Sequence, residues 1–253
     1  FLTHDMDRTG SSPANNVWSA GAVCDFNTPI TDPQDPLGPN PIPFNRSNFD
    51  PTTGTPDLIP IPFPPFQFPN ARQQINEITS YIDASNVYGS DDVRAAALRT
   101  FVDGKLITSA NSALPGYNTV GEENDDPFGM GDDLFLAGDV RANEQVGLTA
   151  VHALFVREHN RLADLLKAHD PSLTDEEIYQ TARKIVGAEM QIITYKEFLP
   201  VLMGDAAPQV SDYQYSESVN ASITNSFAAA VFRYGHSMQS ADLQLVTNNS
   251  VNI

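Results

Sequence analysis

Four short stretches of this chain carry residues whose type and spacing suit chemistry. In Phe232-Arg233-Tyr234-Gly235-His236, Arg233 and His236 stand three apart, so a helix would put both on one face. An imidazole there can bind a metal, and the guanidinium can pair with an anionic group of the same ligand. Gly235 leaves room for something flat beside the histidine, although a hydrogen-bonded core histidine is the competing reading. In the second stretch oxygen-bearing residues alternate as Thr79, Tyr81, Asp83 and Ser85. An extended loop points every second residue the same way, so these groups and backbone carbonyls could converge as calcium's all-oxygen shell requires. A short strand with a polar face fits the same pattern. One carboxylate is little charge for such a site, and Asp5 is the candidate for a second. In the third stretch Arg141 precedes Glu144 by three residues, either as a surface ion pair or as a fixed positive charge over a reaction site. The fourth is His4-Asp5. Neighbours on a helix point about 100° apart, so His4 can face one ligand as a general base while Asp5 faces another. An ordinary helix-surface pair is the plain alternative.

The elements that must position these residues are mostly helices. Ile223, Phe227, Ala230 and Val231 recur at helical spacing and predict an apolar helix running into Arg233 and His236. Leu148, Val151, Leu154, Phe155, Leu162, Leu165 and Leu166 predict a long helix from Gln145 to His169, stopped by Asp170-Pro171. Thr174 with Glu177 is a capping box that opens a second long helix, expected to run to about Phe198 before Pro200. Ser90-Asp91-Asp92 offers a cap and an acidic first turn for a helix with Val93, Ala97, Leu98 and Phe101 on one face. His152 and His159 are expected to pack or hydrogen-bond inside the long helix, and His169 suits its C-terminal dipole. Residues 111–133 read as polar loop. The segment 29–69 holds 13 of the 19 prolines, which forbids long helices, while its Ile and Phe residues argue for an extended stretch wrapped over a surface. The expected class is mainly α, with little β.

Composition narrows the functions. A formal net charge of −18 over 253 residues argues against nucleic acid or an anionic membrane as partner, because phosphate contact needs clustered Lys and Arg. No apolar run is long enough to span a bilayer. The single Cys24 excludes an internal disulfide. The chain starts at Phe1 without Met and stops at Ile253 without an evident end, so it is expected to be truncated at both ends.

Together the stretches FLTHDM, TSYIDASNVYGS, FLAGDVRANE followed by LTAVHALFVREHNRLA, KIVGAEMQIITYKEFLP and FRYGH resemble the animal-type haem peroxidases of the peroxidase–cyclooxygenase superfamily. Order and spacing agree from Phe1 to about Gln239, with gaps in the Pro-rich and 111–133 regions. The resemblance implies that residues 1–253 are part of a single haem peroxidase catalytic domain with a helical core. It implies His4 as distal base, Arg141 as stabiliser of charge during O–O cleavage, His236 as proximal iron ligand and Arg233 as partner of a haem propionate. Asp5, Thr79, Tyr81 through its carbonyl, Asp83 and Ser85 match calcium ligands, and Glu144 matches a glutamate esterified to haem. Thr3 and Gln145 depart from residues that form further haem links in some members, so at most one covalent link, through Glu144, is expected. A distal glutamine would precede Phe1 and an asparagine orienting the proximal histidine would follow Ile253. The implied reaction is reduction of hydrogen peroxide with oxidation of a halide, pseudohalide or phenol, by an extracellular or otherwise exported protein. Two alternatives remain: a fatty-acid dioxygenase, and a non-catalytic calcium-binding adhesion domain of the same fold. Dioxygenases keep a tyrosine where this chain has Arg233, with Tyr234 displaced by one. A scaffold would have no need of His4, Arg141 and His236 together.

Overall fold

Thr174 caps its helix as its sequence predicts: its hydroxyl accepts from the Glu177 N–H, and the Glu177 carboxylate accepts from the Thr174 N–H. In this computed structural model, which describes residues 1–9, 26–29, 31, 34, 42–44, 47–53, 73–109, 114–126, 129–209, 211, 213–238 and 240, the chain is mainly helical. Helix α1 spans Leu2–Met6, α2 Ser85–Tyr88, α3 Asp92–Ala97, α4 Val146–His169 and α5 Asp175–Ile193. A π-helical turn at Thr194–Phe198 leads into α6, Leu199–Met203. The expected stop before Pro200 is therefore a continuation. Proline lacks an N–H and crowds the preceding turn, and a widened turn just before it relieves that crowding. The only sheet among the described residues pairs β1, Phe26–Thr28, antiparallel with β2, Ile42–Phe44, in the register Phe26 to Phe44. Most of the Pro-rich segment, and with it the wrapping expectation, lies outside the described residues.

Two compact units divide the chain, Phe1–Ala221 and Ser222–Ile253. In the first, α4 and α5 form a helical hairpin joined through Asp170-Pro171. Its core gathers Val87, Tyr88, Leu98, Leu106, Leu136, Phe155, Val156, Leu162, Tyr179, Ala182, Val186 and Met190. The buried stripe of α4 runs through His152, Phe155, Val156, His159, Leu162 and Ala163, at spacings of three and four. The histidines thus occupy the stripe, while Leu154 and Leu165 stay more than half exposed. A carbonyl only accepts, so His159 Nε2–H donates to Gly104 O at 2.8 Å and its Nδ1 accepts from the Tyr88 hydroxyl at 2.9 Å. Gly104 makes that approach possible: at φ +69° a Cβ there would lie 2.5 Å from the Ile178 side chain. Arg99 grips the start of α5 through Asp175 and Glu176, and its guanidinium stacks 3.8 Å from the Tyr179 ring centroid. The predicted face of α3 is corrected. Asp91 is the cap and Leu98 is buried as expected, but Arg94 is buried too, and Val93 and Phe101 are exposed. The helix ends at Ala97, so Phe101 no longer shares its periodicity.

The second unit also departs from expectation. In place of one helix through His236, α7 covers Asn225–Ala229, the backbone breaks at Ala230 (φ −129°, ψ −63°), and a 3₁₀ helix spans Val231–Met238. Thr224 caps α7 by accepting from the Phe227 N–H. A short helix depends on packing of its apolar face. Phe227 and Val231, predicted to lie on a buried face, are 45% and 58% exposed.

Candidate functional site

Helix α1 is only five residues long and is held in place by contacts from distant sequence. Asp5, fully buried, directs its carboxylate at the turn entering α2. Oδ2 accepts the N–H groups of Asp83 and Ala84 at 3.1 and 3.0 Å; Oδ1 accepts Asn86 N–H at 3.0 Å and the Ser85 hydroxyl at 3.2 Å. Ala84 adopts the left-handed conformation, φ 63°, which turns successive N–H groups onto one point as an anion nest. Burial pushes the Asp5 carboxyl up to about 6, against the hydrogen bonds from Asn86 and Ala84. The far end of α1 is fixed by Asn76, whose amide donates to Met6 O at 2.9 Å and whose carbonyl accepts Arg8 N–H at 2.9 Å.

His4, next to Asp5 on α1, is mostly buried. Its Nδ1 has no hydrogen-bond partner among the described residues and lies 3.9 Å from Asp139 Oδ1. Burial, then the charge of Arg141, lowers the His4 pKa to about 3, so the imidazole is neutral at neutral pH. Arg141 is bound to the same Asp139. Its Nε and backbone N–H donate to Oδ1 at 2.9 and 2.8 Å, and its Nη2 donates to Oδ2 at 2.7 Å. The guanidinium also donates to the carbonyls of Asp7 and His4, at 3.0 and 3.3 Å, closing the end of α1. Burial raises the Asp139 carboxyl, but the hydrogen bonds and charge of Arg141 outweigh it and hold the group below the usual carboxylate range.

Two features position this turn. The buried Arg94 donates Nε–H to Ala137 O at 2.8 Å, and Gly138 packs so tightly on α2 that a Cβ would lie 2.5 Å from Ser85 O and 2.6 Å from Asn86 O. His4, Asp5, the 83–86 turn and Arg141 therefore form one connected cluster. Among the other candidate ligands, Thr79 Oγ1 accepts Tyr81 N–H at 3.0 Å, Asp83 Oδ1 accepts Ser85 N–H at 3.0 Å, and Tyr81 is 64% exposed. Among the described residues no three His, Cys, Asp or Glu side chains converge as a metal site. Calcium here would thus depend on two carboxylates with hydroxyl and carbonyl oxygens. Glu144 is exposed just before α4, its N–H donating to Arg141 O at 3.0 Å. Arg233 and His236 belong to the second unit, where one turn of the 3₁₀ helix separates their backbone positions. No helix among the described residues is long and apolar enough to cross a membrane.

Sequence reasoning missed Asp139, Gly138 and Arg94. Asp139-Val140-Arg141 carried a signal: an aspartate commonly accepts the N–H two residues on, as Asp139 does here.

The family profile described as Animal haem peroxidase matches residues 1–253. A peroxidasin homologue of Caenorhabditis elegans is 36% identical across 98% of this chain and 21% of its own length. Mouse myeloperoxidase is 43% identical across 66% of this chain and 25% of its own length. The chain spans about a fifth of the length of the curated peroxidasins it matches. Peroxidase A of Dictyostelium discoideum superposes with a TM-score of 0.75 at 24% identity, covering all of this chain and 48% of that one, a likeness of fold. A fatty acid alpha-dioxygenase of Arabidopsis thaliana superposes less closely, with a TM-score of 0.53 at 24% identity over 77% of this chain and 25% of that one. A full-length profile match together with relatives above one-third identity places this chain in the animal haem peroxidase family.

Proposed function

We propose that this chain carries the peroxide-cleaving half of a haem peroxidase, an oxidoreductase that reduces hydrogen peroxide and oxidises a halide, a pseudohalide or a phenol. The observation that supports this most is the part-buried pair of a neutral imidazole, His4, and a guanidinium, Arg141, which flank one buried carboxylate. Splitting the peroxide O–O bond needs a base for one proton and a positive charge for the departing oxygen, and the pair supplies both.

The residues fit haem by donor chemistry. His236 offers one imidazole for iron, and Arg233, exposed one turn earlier, offers a cation for a propionate. Bound haem supplies the redox-active iron that takes up the oxidising equivalents of peroxide. His4 receives a peroxide proton at Nε2, since Nδ1 is the nitrogen beside Asp139. It then returns that proton to the leaving oxygen, which departs as water. Of five guanidinium N–H groups, Arg141 gives one at Nε, two at Nη2 and one at Nη1 to partners among the described residues, and the remaining one at Nη1 is available for a ligand oxygen. Glu144, exposed at the end of the same segment, is the group for a single ester link to haem.

Calcium fits by oxygen chemistry. Asp5 and Asp83 place two carboxylates close enough for the charge of Asp83 to raise the Asp5 pKa further, and no cationic side chain bonds to either among the described contacts. The Ser85 hydroxyl, at the longest of the four contacts to the Asp5 carboxylate, would be among the groups holding such a cation. Thr79, the Tyr81 carbonyl and Ser85 complete the donor set. We assign both units to one catalytic domain of an exported protein.

The test is peroxide-dependent oxidation of an artificial phenol by the full-length protein with haem, alongside oxygen uptake with an unsaturated fatty acid. The reading requires the first without the second. Oxygen uptake abolished in Tyr234→Phe would favour a dioxygenase instead.

A further inference from the structure

Arg141 has a long side chain, and one carboxylate takes two of the guanidinium edges that set its direction, with the Asp7 and His4 carbonyls taking others. Asp139, 4% exposed, receives its Nε, its Nη2 and its backbone N–H. A bidentate carboxylate matches the guanidinium fork and fixes its plane as well as its distance. The same oxygen that accepts Nε, Oδ1, is 3.9 Å from His4 Nδ1, a buried nitrogen without a hydrogen-bond partner among the described residues. That distance is too long for a direct hydrogen bond, and the carboxylate acts on the ring across it through its charge. Two contacts hold the turn that carries Asp139. Arg94 holds the carbonyl two residues before it, and Gly138 seats the turn against α2.

We propose that Asp139 is the positioning residue that sets the tautomer of His4 and the direction of Arg141 together. A carboxylate facing Nδ1 selects the ring form with its proton there, which leaves the lone pair on Nε2. Neither role brings Asp139 into contact with peroxide. This deepens the peroxidase reading and rests on it for the rate effect, but not for the tautomer.

The experiment uses the full-length protein and its Asp139→Asn and Asp139→Glu variants. Nitrogen-15 NMR of the histidines, in the haem-free or the ferrous carbon monoxide form, reads the tautomer. Wild type is expected to carry the His4 proton on Nδ1. Asp139→Asn is expected to lose that preference and to react with peroxide about 10- to 100-fold more slowly, with an intact Soret band and an unchanged KM for the phenol. Asp139→Glu keeps the charge and is expected to recover part of both. A wild-type proton on Nε2 overturns the proposal even if the variants fail to fold. So does an Asp139→Asn protein with the wild-type tautomer and peroxide rate. Wild type that binds haem but ignores peroxide would refute the peroxidase reading, and the tautomer would still decide the role of Asp139.

Discussion

The Asp5 carboxylate accepts the N–H of Ala84 at 3.0 Å across 79 residues of sequence, and Ala84 holds a left-handed backbone to offer it. This contact fixes α1 and therefore the neighbouring His4. Asp5→Asn is expected to cost about 1–3 kcal/mol, because an amide presents one acceptor oxygen where two were used. If calcium shares the site, EGTA lowers the thermal midpoint and the peroxide rate together, since the ion binds only the folded chain. A scan with and without EGTA checks this. Loss of activity at an unchanged midpoint would disconnect the cation from α1.

Gly138 predicts a steric test. In Gly138→Ala the new methyl meets two α2 carbonyls at 2.5 and 2.6 Å, and both belong to backbone that cannot rotate away. The expected loss is about 1–3 kcal/mol of stability, with slower peroxide reaction because the Asp139–Arg141 turn must shift. Denaturant midpoints compared with wild type read the first effect, and stopped-flow kinetics the second.

His159 predicts a pH dependence. Burial lowers its pKa to about 4 from an ordinary value near 6.5, so the folded state keeps it neutral where the unfolded chain would bind a proton. The sign follows: its contribution is complete above pH ~6.5 and is lost as pH falls toward ~4, at most on the order of 3 kcal/mol. His152, also lowered to about 4 by burial, acts in the same window. His159→Gln keeps an N–H for Gly104 O and should flatten part of the acid slope in a urea titration series. An unchanged slope would show that His159 does not titrate with unfolding.

Glu144 predicts an attachment test. If it forms the ester, acidified organic solvent extracts haem from Glu144→Gln but not from wild type, as read by the absorbance of the organic layer. Complete extraction from wild type means that no ester forms.

Much of this was legible because local rules carry it. Thr174 and Glu177 marked the start of α5, and the α4 boundaries followed from its leucines and Asp170-Pro171. The buried stripe of α4 was harder to read. Two of its members are histidines, whose burial depends on partners such as Gly104 and Tyr88 that are distant in sequence. The break at Ala230 was hidden because periodicity reports a face and says nothing of whether a neighbour covers it. Motif order points to His4, Asp5 and Arg141, and the structure brings them into one cluster. Asp139 escaped notice because an acidic residue beside an arginine usually means a solvated ion pair, and only tertiary burial makes this one a clamp.

The most direct test of the roles assigned to His4 and His236 is the absorbance spectrum of the full-length protein beside its His236→Ala and His4→Ala variants. Wild type is expected to show a Soret band that His236→Ala loses. His4→Ala should keep the band while its reaction with peroxide slows by about 10²- to 10⁴-fold. A Soret band that survives in His236→Ala, or a His4→Ala protein with the full peroxide rate, would contradict these assignments.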